Sequence, residues 1–113
     1  MSNLNQFSGG LLKFNKNQRI GFNETSVQSA AFDTNTVAII VSVKGSDIGG
    51  YITIGSNPTA SDQDFFVKGH NTSTEQTPNG EPFGPIGVTA GHKLAVIGAD
   101  SSGQAIYIME LKY

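Results

Sequence analysis

Alternation of aliphatic residues over 37–43 constrains the fold of this chain most strongly. The aliphatic side chains of one face of this run are Val37, Ile39, Val41 and Val43. Their two-residue spacing is typical of a β-strand with one apolar face, and β-branched residues fit a pleated surface better than a helix. The period resumes over 51–54 after a glycine-containing loop, with Ile52 and Ile54 on one face. We therefore predict a β-hairpin at the centre of a β-sandwich.

Further short strands are predicted along the rest of the chain. Their ranges are 18–22, 26–32, 64–68, 86–88, 93–98 and 105–111. The last range has apolar residues on both faces, so it should lie inside a sheet or beneath another subunit. Residues 99–104, which precede it, have the composition of a hairpin loop. Short strands separated by turns, without a helical period, predict an all-β sandwich of jelly-roll or immunoglobulin-like type.

The first 17 residues are mostly polar. Two interpretations stay open for them: a frayed terminus with a short first strand, or an extended arm that lies on a neighbouring subunit. Leu11, Leu12 and Phe14 are the candidate anchors of such an arm. We accordingly divide the chain into an N-terminal arm, 1–17, and a β-sandwich domain, 18–113.

A long polar stretch, 69–85, is rich in proline and glycine. A loop of that length inside a compact domain is generally functional or disordered. We therefore predict that it contacts a partner. The candidate contact residues within it are Asn71, Thr72, Pro78, Asn79 and Phe83.

Composition excludes several classes of function. The 113 residues include no cysteine, which rules out disulfides and thiolate metal sites, and the formal net charge is −2. Without a basic stripe, the chain lacks the attraction to phosphates that dominates nucleic-acid binding, so we expect no nucleic-acid partner. No run approaches the ~18 apolar residues that span a bilayer. We expect no membrane association and no secretory signal.

Catalytic and metal-binding patterns are also missing from the sequence. His70 and His92 have no recognisable catalytic context, and no Gly-x-Ser-x-Gly elbow occurs. Asp62 and Asp64 could approach one calcium ion, but the EF-hand pattern is absent, so we expect an exposed loop end there. We assign no catalytic, metal-binding or cofactor-binding residue and predict that the chain is not an enzyme.

Five segments together resemble small virion proteins of tailed bacteriophages. They are TVAIIVS (36–42), YITIGSNPTA (51–60), DFFV (64–67), IGVTAGHKLAVI (86–97) and IYIMEL (106–111). In that family, a strand ending in G-x-x-P-T-A precedes a proline or glycine loop, a G-x-K-x-A-V-I strand and a closing hydrophobic-Glu-Leu tail. The segments 45–50 and 69–85 depart from this pattern.

The resemblance implies a capsid decoration, or cement, protein. Such a protein is a non-enzymatic sandwich, often a homotrimer, that binds the major capsid protein on the outer surface of the virion and bridges neighbouring capsomers. It would be made in the host cytoplasm. The alternative is a receptor- or carbohydrate-binding module of a phage fibre or bacterial surface. Sugar recognition by such a module would need exposed aromatic side chains on which a sugar ring can stack. Tryptophan is absent and only Tyr51, Tyr107 and Tyr113 could serve.

The alternation generates a stability prediction. Replacing Ile39 or Ile108 by alanine should lower the free energy of unfolding by about 2–5 kcal/mol, because each change leaves a cavity in the core. Urea unfolding of the two variants measures this. A change near zero would place the core elsewhere.

Overall fold

Two β-sheets are formed by the part of the chain that the structure, a computed structural model, describes: residues 11–45, 48–70 and 82–113. Their strands are β1 Lys13–Phe22, β2 Val27–Gln28, β3 Ala38–Lys44, β4 Gly50–Gly55, β5 Phe65–Val67, β6 Gly69–His70, β7 Phe83–Gly87, β8 Lys93–Gly98 and β9 Gln104–Lys112. The predicted all-β sandwich is confirmed. Its assignment to the jelly-roll or immunoglobulin-like type stays a prediction.

The strands are shared between the sheets in an order that departs from chain order. Sheet I has the order β1-β9-β3, and the far edge of β3 pairs with β6 in parallel and with β7 in antiparallel orientation. Sheet II has the order β2-β8-β4-β5, and its pairs are antiparallel. The predicted interior position of the last strand is confirmed, since β9 lies between β1 and β3.

The core lies between the sheets and follows the aliphatic alternation. Its buried residues are Phe22, Phe32, Ile39, Val41, Val43, Ile52, Val67, Leu94, Val96, Ile106 and Ile108. Ile39 and Ile108 have no exposed surface. Burial of each such aliphatic side chain contributes about 1.5–3 kcal/mol to folding.

The predicted hairpin of β3 and β4 is wrong, because the two strands belong to different sheets. The chain crosses between the sheets after Gly45 and re-enters at Gly49, and both glycines have positive φ, 114° and 93°. A Cβ atom at Gly49 would lie 2.2 Å from the Val67 carbonyl oxygen, so only glycine fits there. Alternation identifies a strand and its apolar face, but it does not identify the strand's partner.

The interpretation of 99–104 as a hairpin loop is also wrong. This segment joins β8 in sheet II to β9 in sheet I. Two predicted strands are shorter than expected. The strand predicted over 26–32 covers only β2, Val27–Gln28, and the strand predicted over 64–68 covers only β5, Phe65–Val67.

The boundary placed between residues 17 and 18 falls inside β1. This strand begins at Lys13 and pairs with β9 along its length, from Lys13 opposite Lys112 to Phe22 opposite Gln104. A register shift occurs between Phe14 and Lys16, which is the signature of a β-bulge. Residues 13–17, assigned above to the arm, are therefore part of sheet I.

Two glutamine side chains secure chain segments that lie outside the sheets. Gln104 accepts from the Gly49 N–H and donates to the Gly49 carbonyl, both at 2.9 Å. Gln18 likewise accepts from the Ala30 N–H at 3.0 Å and donates to the Ala30 carbonyl at 3.2 Å. Each amide thereby satisfies both backbone groups of a residue that has no strand partner there.

The carboxyl group of Glu110 lies inside the sandwich with no exposed surface. Its Oε1 accepts hydrogen bonds from the Thr36 hydroxyl at 2.7 Å and from the Asp33 backbone N–H at 2.9 Å. Its Oε2 accepts from the Gln18 amide at 2.8 Å. These three donors offset the cost of removing the carboxyl group from water. They also tie β9 to β1 and to the segment that leads into β3.

Glu110→Gln tests the contribution of these three hydrogen bonds to stability. Its new amide nitrogen would face either the Gln18 amide or the donors of Thr36 and Asp33, so we expect the free energy of unfolding to fall by about 1–3 kcal/mol. Glu24→Gln, at an exposed position, is the control and should change it by less than about 0.5 kcal/mol. Equal stability of Glu110→Gln and wild type in urea unfolding would show that the carboxylate is not required.

Candidate interaction surface

The outer face of sheet I is built around the second set of alternate residues in β9. Because Ile106 and Ile108 are buried in the core, Tyr107, Met109 and Leu111 point to the other side of the sheet. The register brings their neighbours from β1 and β3 to the same face. These neighbours are Arg19 and Ser42 beside Tyr107, Asn17 and Ile40 beside Met109, and Phe14 and Ala38 beside Leu111.

One half of this face is apolar. Phe14 is 56% exposed and Met109 is 40% exposed, and Ile40 beside Met109 is half-buried. A shallow depression of about 280 Å³ lies over Ile40 and Met109 and is bordered by Pro82. Large apolar side chains that are partly open to solvent on a regular sheet are typical of a docking surface.

The other half of the face is cationic. Arg19 donates from Nε to the Tyr107 hydroxyl at 3.1 Å, and its Cζ lies 5.7 Å from the centre of the Tyr107 ring. The Nζ of Lys44 lies 4.6 Å from the same ring centre. These three residues border a depression of about 620 Å³, and the described residues that line it include no aspartate or glutamate. Tyr107 and Lys44 also border the smaller depression, so the two halves form one continuous surface.

The structure separates the predicted contact residues. Phe14 lies on the outer face of sheet I, while Leu11, 72% exposed, and the half-buried Leu12 come directly before β1. Phe83 lies on β7, with β9 and β3 between it and Phe14. The remaining candidates lie outside the described residues: Asn71, Thr72, Pro78 and Asn79.

Phe83 belongs instead to an aromatic cluster at the edge where the two sheets meet. Its ring centre lies 4.6 Å from that of Phe65 on β5, and Phe83 therefore bridges sheet I to sheet II. On the outer face of sheet II, Phe66 packs against Tyr51 with ring centres 5.3 Å apart. These pairs stabilise the edge of the sandwich through tilted aromatic contacts.

The two histidines are not brought together. His70 pairs with Lys44 at the end of β3. The carbonyl of His92 accepts from the Phe32 N–H, at the opposite end of the sandwich. In residues 11–45, 48–70 and 82–113, no group of three histidine or acidic side chains is placed to hold a metal ion.

Asp62 and Asp64 lie in a local turn. Asp64 accepts from the Ser61 N–H at 2.7 Å through its side chain and donates its own N–H to the Ser61 carbonyl at 3.0 Å. Asp62 accepts from the Gln63 amide at 3.2 Å. Each of the two side-chain carboxyl groups therefore accepts a hydrogen bond from another residue of the same turn.

Asp33 is the acidic neighbour of Glu110. The hydrogen bond from the Asn35 backbone N–H lowers the pKa of Asp33, and so do the Asn15 side-chain amide and the nearby charges of Lys16 and Lys112. Slight burial opposes this shift. A carboxyl group kept ionised in this way is poorly suited to act as a general acid near neutral pH. The two carboxyl groups belong to one hydrogen-bonded network, which runs through Asn15 and Thr36.

The cluster of Arg19, Lys44 and Tyr107 was not predicted from the sequence. Arg19 and Tyr107 are 88 positions apart, and their contact depends on the register of β1 with β9. The apolar alternation on both faces of β9 predicted either an interior strand or an outer face covered by another subunit, and neither alternative identifies Arg19 or Lys44 as neighbours of Tyr107.

No known family model matches this chain, and no curated protein matches it. Among the described residues, no helix has the length and hydropathy needed to cross a bilayer.

The environment of Asp33 predicts a dependence of stability on pH. Because its pKa in the folded chain lies below the ordinary value of 3.8, ionised Asp33 stabilises the fold above that value, and this contribution is lost as the pH falls. Wild type should exceed Asp33→Asn in free energy of unfolding near neutral pH, and the difference should shrink below about pH 4. Urea unfolding over a pH series measures it. A difference that stays constant between about pH 3 and pH 7 would contradict the assignment.

Proposed function

We propose that this chain is a capsid decoration protein of a tailed bacteriophage, which binds the major capsid protein on the outside of the virion through the outer face of sheet I. The observation that carries the proposal is the continuous surface of Phe14, Ile40, Met109, Tyr107 and Arg19 on a regular sheet. Aromatic residues, methionine and arginine are enriched in protein interfaces. Apart from Ile40 and Lys44, the side chains named for this surface are of these kinds.

A β-sandwich supports such a surface well, because the side chains on the outer face are spaced by the strands below them. The inward residues of the same strands are fixed in the core, as Ile106 and Ile108 are in β9. A preformed surface loses little conformational entropy on binding. The chain would therefore bind as a rigid body and stabilise neighbouring capsomers in the arrangement that it contacts.

A homotrimer would add to this effect. A capsid lattice repeats one site many times, and a trimer that occupies several sites converts modest single contacts into strong attachment. The residues directly before β1, Leu11 and Leu12, lie close to Phe14 in the chain and extend the same apolar surface in this proposal.

The alternative of a carbohydrate-binding module is less well supported. Sugar rings stack on open aromatic faces, but the Tyr107 ring is already approached by Arg19 from β1 and by Lys44 from β3. On sheet II, Tyr51 is packed against Phe66. Neither ring has the open surroundings of a sugar platform, and of the three tyrosines only Tyr113 is widely exposed, at 70%.

Binding to purified heads tests the proposal. The variant carrying Phe14→Ser and Met109→Ser should bind heads at least about tenfold more weakly than wild type, which corresponds to about 1.4 kcal/mol. Its melting temperature should change little, because both side chains are largely outside the core. Co-sedimentation with heads assembled from the major capsid protein measures occupancy, and analytical ultracentrifugation measures the oligomeric state.

Phe66→Ser is the matched control, since Phe66 is 42% exposed and lies on the opposite sheet. It should bind heads as wild type does. Loss of binding with Phe66→Ser and full binding with the double variant would place the interface on sheet II. Retention of wild type on glycan arrays, without any binding to heads, would support the carbohydrate-binding alternative.

A further inference from the structure

We propose that the free edge of β1 receives an extended acidic segment of the partner protein, which adds one strand to sheet I. The inference deepens the proposed function and rests on it for the identity of the partner. It concerns the edge of the sheet, whereas the surface proposed above is the outer face of the sheet. Because β1 also supplies Phe14 and Arg19 to that face, a segment bound at the edge would continue the same interface.

The edge of β1 is long and unpaired. This strand has 10 residues, Lys13–Phe22, and it ends the order of sheet I with β9 on one side only. Alternate residues of an antiparallel strand direct their N–H and C=O groups away from the paired neighbour. In the described part of the chain, no segment other than β9 forms hydrogen bonds with the backbone of β1. A row of such groups is a template for another strand.

The other strands at the sheet edges are shorter than β1. β2 and β6 have 2 residues each, β5 has 3, and β7 has 5 with Pro85 among them. Short edge strands and proline limit pairing with other chains. Because a register shift between Phe14 and Lys16 interrupts the start of β1, its regular edge is 16–22. This range is described throughout, and β9 separates it from β3.

Charge favours an acidic occupant of this edge. Lys16 and Arg19 are exposed on the regular edge, Lys13 is exposed before it, and β1 contains no aspartate or glutamate. Asp33 is close enough to Lys16 to interact with its charge, and the buried Glu110 lies opposite Lys16 in the register. Even when both carboxyl groups are counted, the three cations leave an excess of positive charge. An acidic segment would be attracted to it.

A second copy of β1 is a poorer occupant. An antiparallel pair of β1 strands centred between Asn17 and Gln18 would place Lys16 of each copy opposite Arg19 of the other. Like charges that face each other across a strand pair are destabilising. Lysine on edge strands prevents such self-pairing in natural proteins. The same charges favour a different chain that supplies carboxylates at these positions.

The register of an added antiparallel strand specifies its sequence pattern. The residues opposite Arg19 and Lys16 would be three positions apart, and both should be acidic. The residue opposite Asn17 would lie on the outer face, where Asn17 is beside Met109, so it should be apolar. Read from its N-terminus, the added segment therefore has the pattern Glu-x-apolar-Glu.

The first test is hydrogen exchange in ¹⁵N-labelled protein with the capped peptide TETVET. Alternate amides of β1 should exchange rapidly in the free protein, because they face solvent, and should become protected when the peptide binds. A contact through side chains alone would not protect every second amide. Binding should weaken as salt is raised, because the charges are exposed.

Two matched peptides separate the contributions of charge and backbone. TQTVQT has the same length and no charge, and it should bind more weakly than TETVET. TETVET with N-methyl groups on alternate residues is made in both phases. One phase should abolish binding, because it removes the N–H groups that face β1, and the other phase should bind as the parent peptide does.

Two protein variants test the cations. Lys16→Gln and Arg19→Gln should each weaken the binding of TETVET about two- to fivefold, which is the size expected of exposed ion pairs. Lys93→Gln, on sheet II, is the control and should bind the peptide as wild type does.

Several outcomes would overturn the inference. Equal binding of TQTVQT would show that charge is not recognised, and equal binding of both N-methylated phases would show that the peptide backbone is not paired. Protection of amides in β5 or β7 instead of β1 would place the peptide at another edge. Protection of β1 that rises with protein concentration, without peptide, would identify a second copy as the occupant. Absence of saturable binding at millimolar peptide would also contradict the inference.

Head binding separates this inference from the proposed function. If wild type binds heads while the amides of β1 stay unprotected and Lys16→Gln binds equally well at low salt, strand addition is wrong and the decoration function stands. If TETVET binds as expected but wild type does not attach to heads, the edge serves another acidic partner and the decoration function is wrong. Both proposals are supported if attachment to heads protects β1 and is weakened by Lys16→Gln.

Discussion

The two-residue period of β9 is the constraint on which the rest of the structure depends. One set of its alternate side chains, Ile106, Ile108 and Glu110, is buried between the sheets. The other set, Tyr107, Met109 and Leu111, forms the middle of the outer face of sheet I. A slip of one residue in register would exchange the two sets, placing a carboxylate on the surface and a tyrosine in the core. The nine residues of β9 therefore contribute both to the core and to the proposed interaction surface.

Polar side chains hold this register where strand pairing stops. The chain passes between the sheets after β2 and again after β3, and each passage leaves backbone groups without a strand partner. Gln104 binds both backbone groups of Gly49, and Gln18 binds those of Ala30. Glu110 then links Gln18 to the segment before β3. This network fixes β1 beside β9, and so it fixes the position of Arg19 relative to Tyr107.

Local pattern revealed the strands but not their partners. Alternation was sufficient for β3, β8 and β9, because each buries one apolar face. Alternation wrongly predicted that β3 pairs with β4. The true partners, β9 for β3 and β8 for β4, are distant in the chain, and such pairing leaves no local signal. The first half of β1 is not visible in the aliphatic pattern, because its inward residue Gln18 bonds to Glu110 and Ala30, and only Ile20 and Phe22 reach the core. Phe14 is exposed on the outer face of sheet I, and its role as an anchor stays a prediction. The contact of Arg19 and Lys44 with Tyr107 requires the register of three strands, which one sequence does not display.

In the proposed function, the outer face of sheet I meets the capsid while sheet II faces away from it. A cryo-electron microscopy map of decorated heads tests this most directly. Our account predicts continuous density between the major capsid protein and the side chains of Met109 and Tyr107. Density that joins the capsid to Tyr51 and Phe66 of sheet II, with the outer face of sheet I open to solvent, would contradict it.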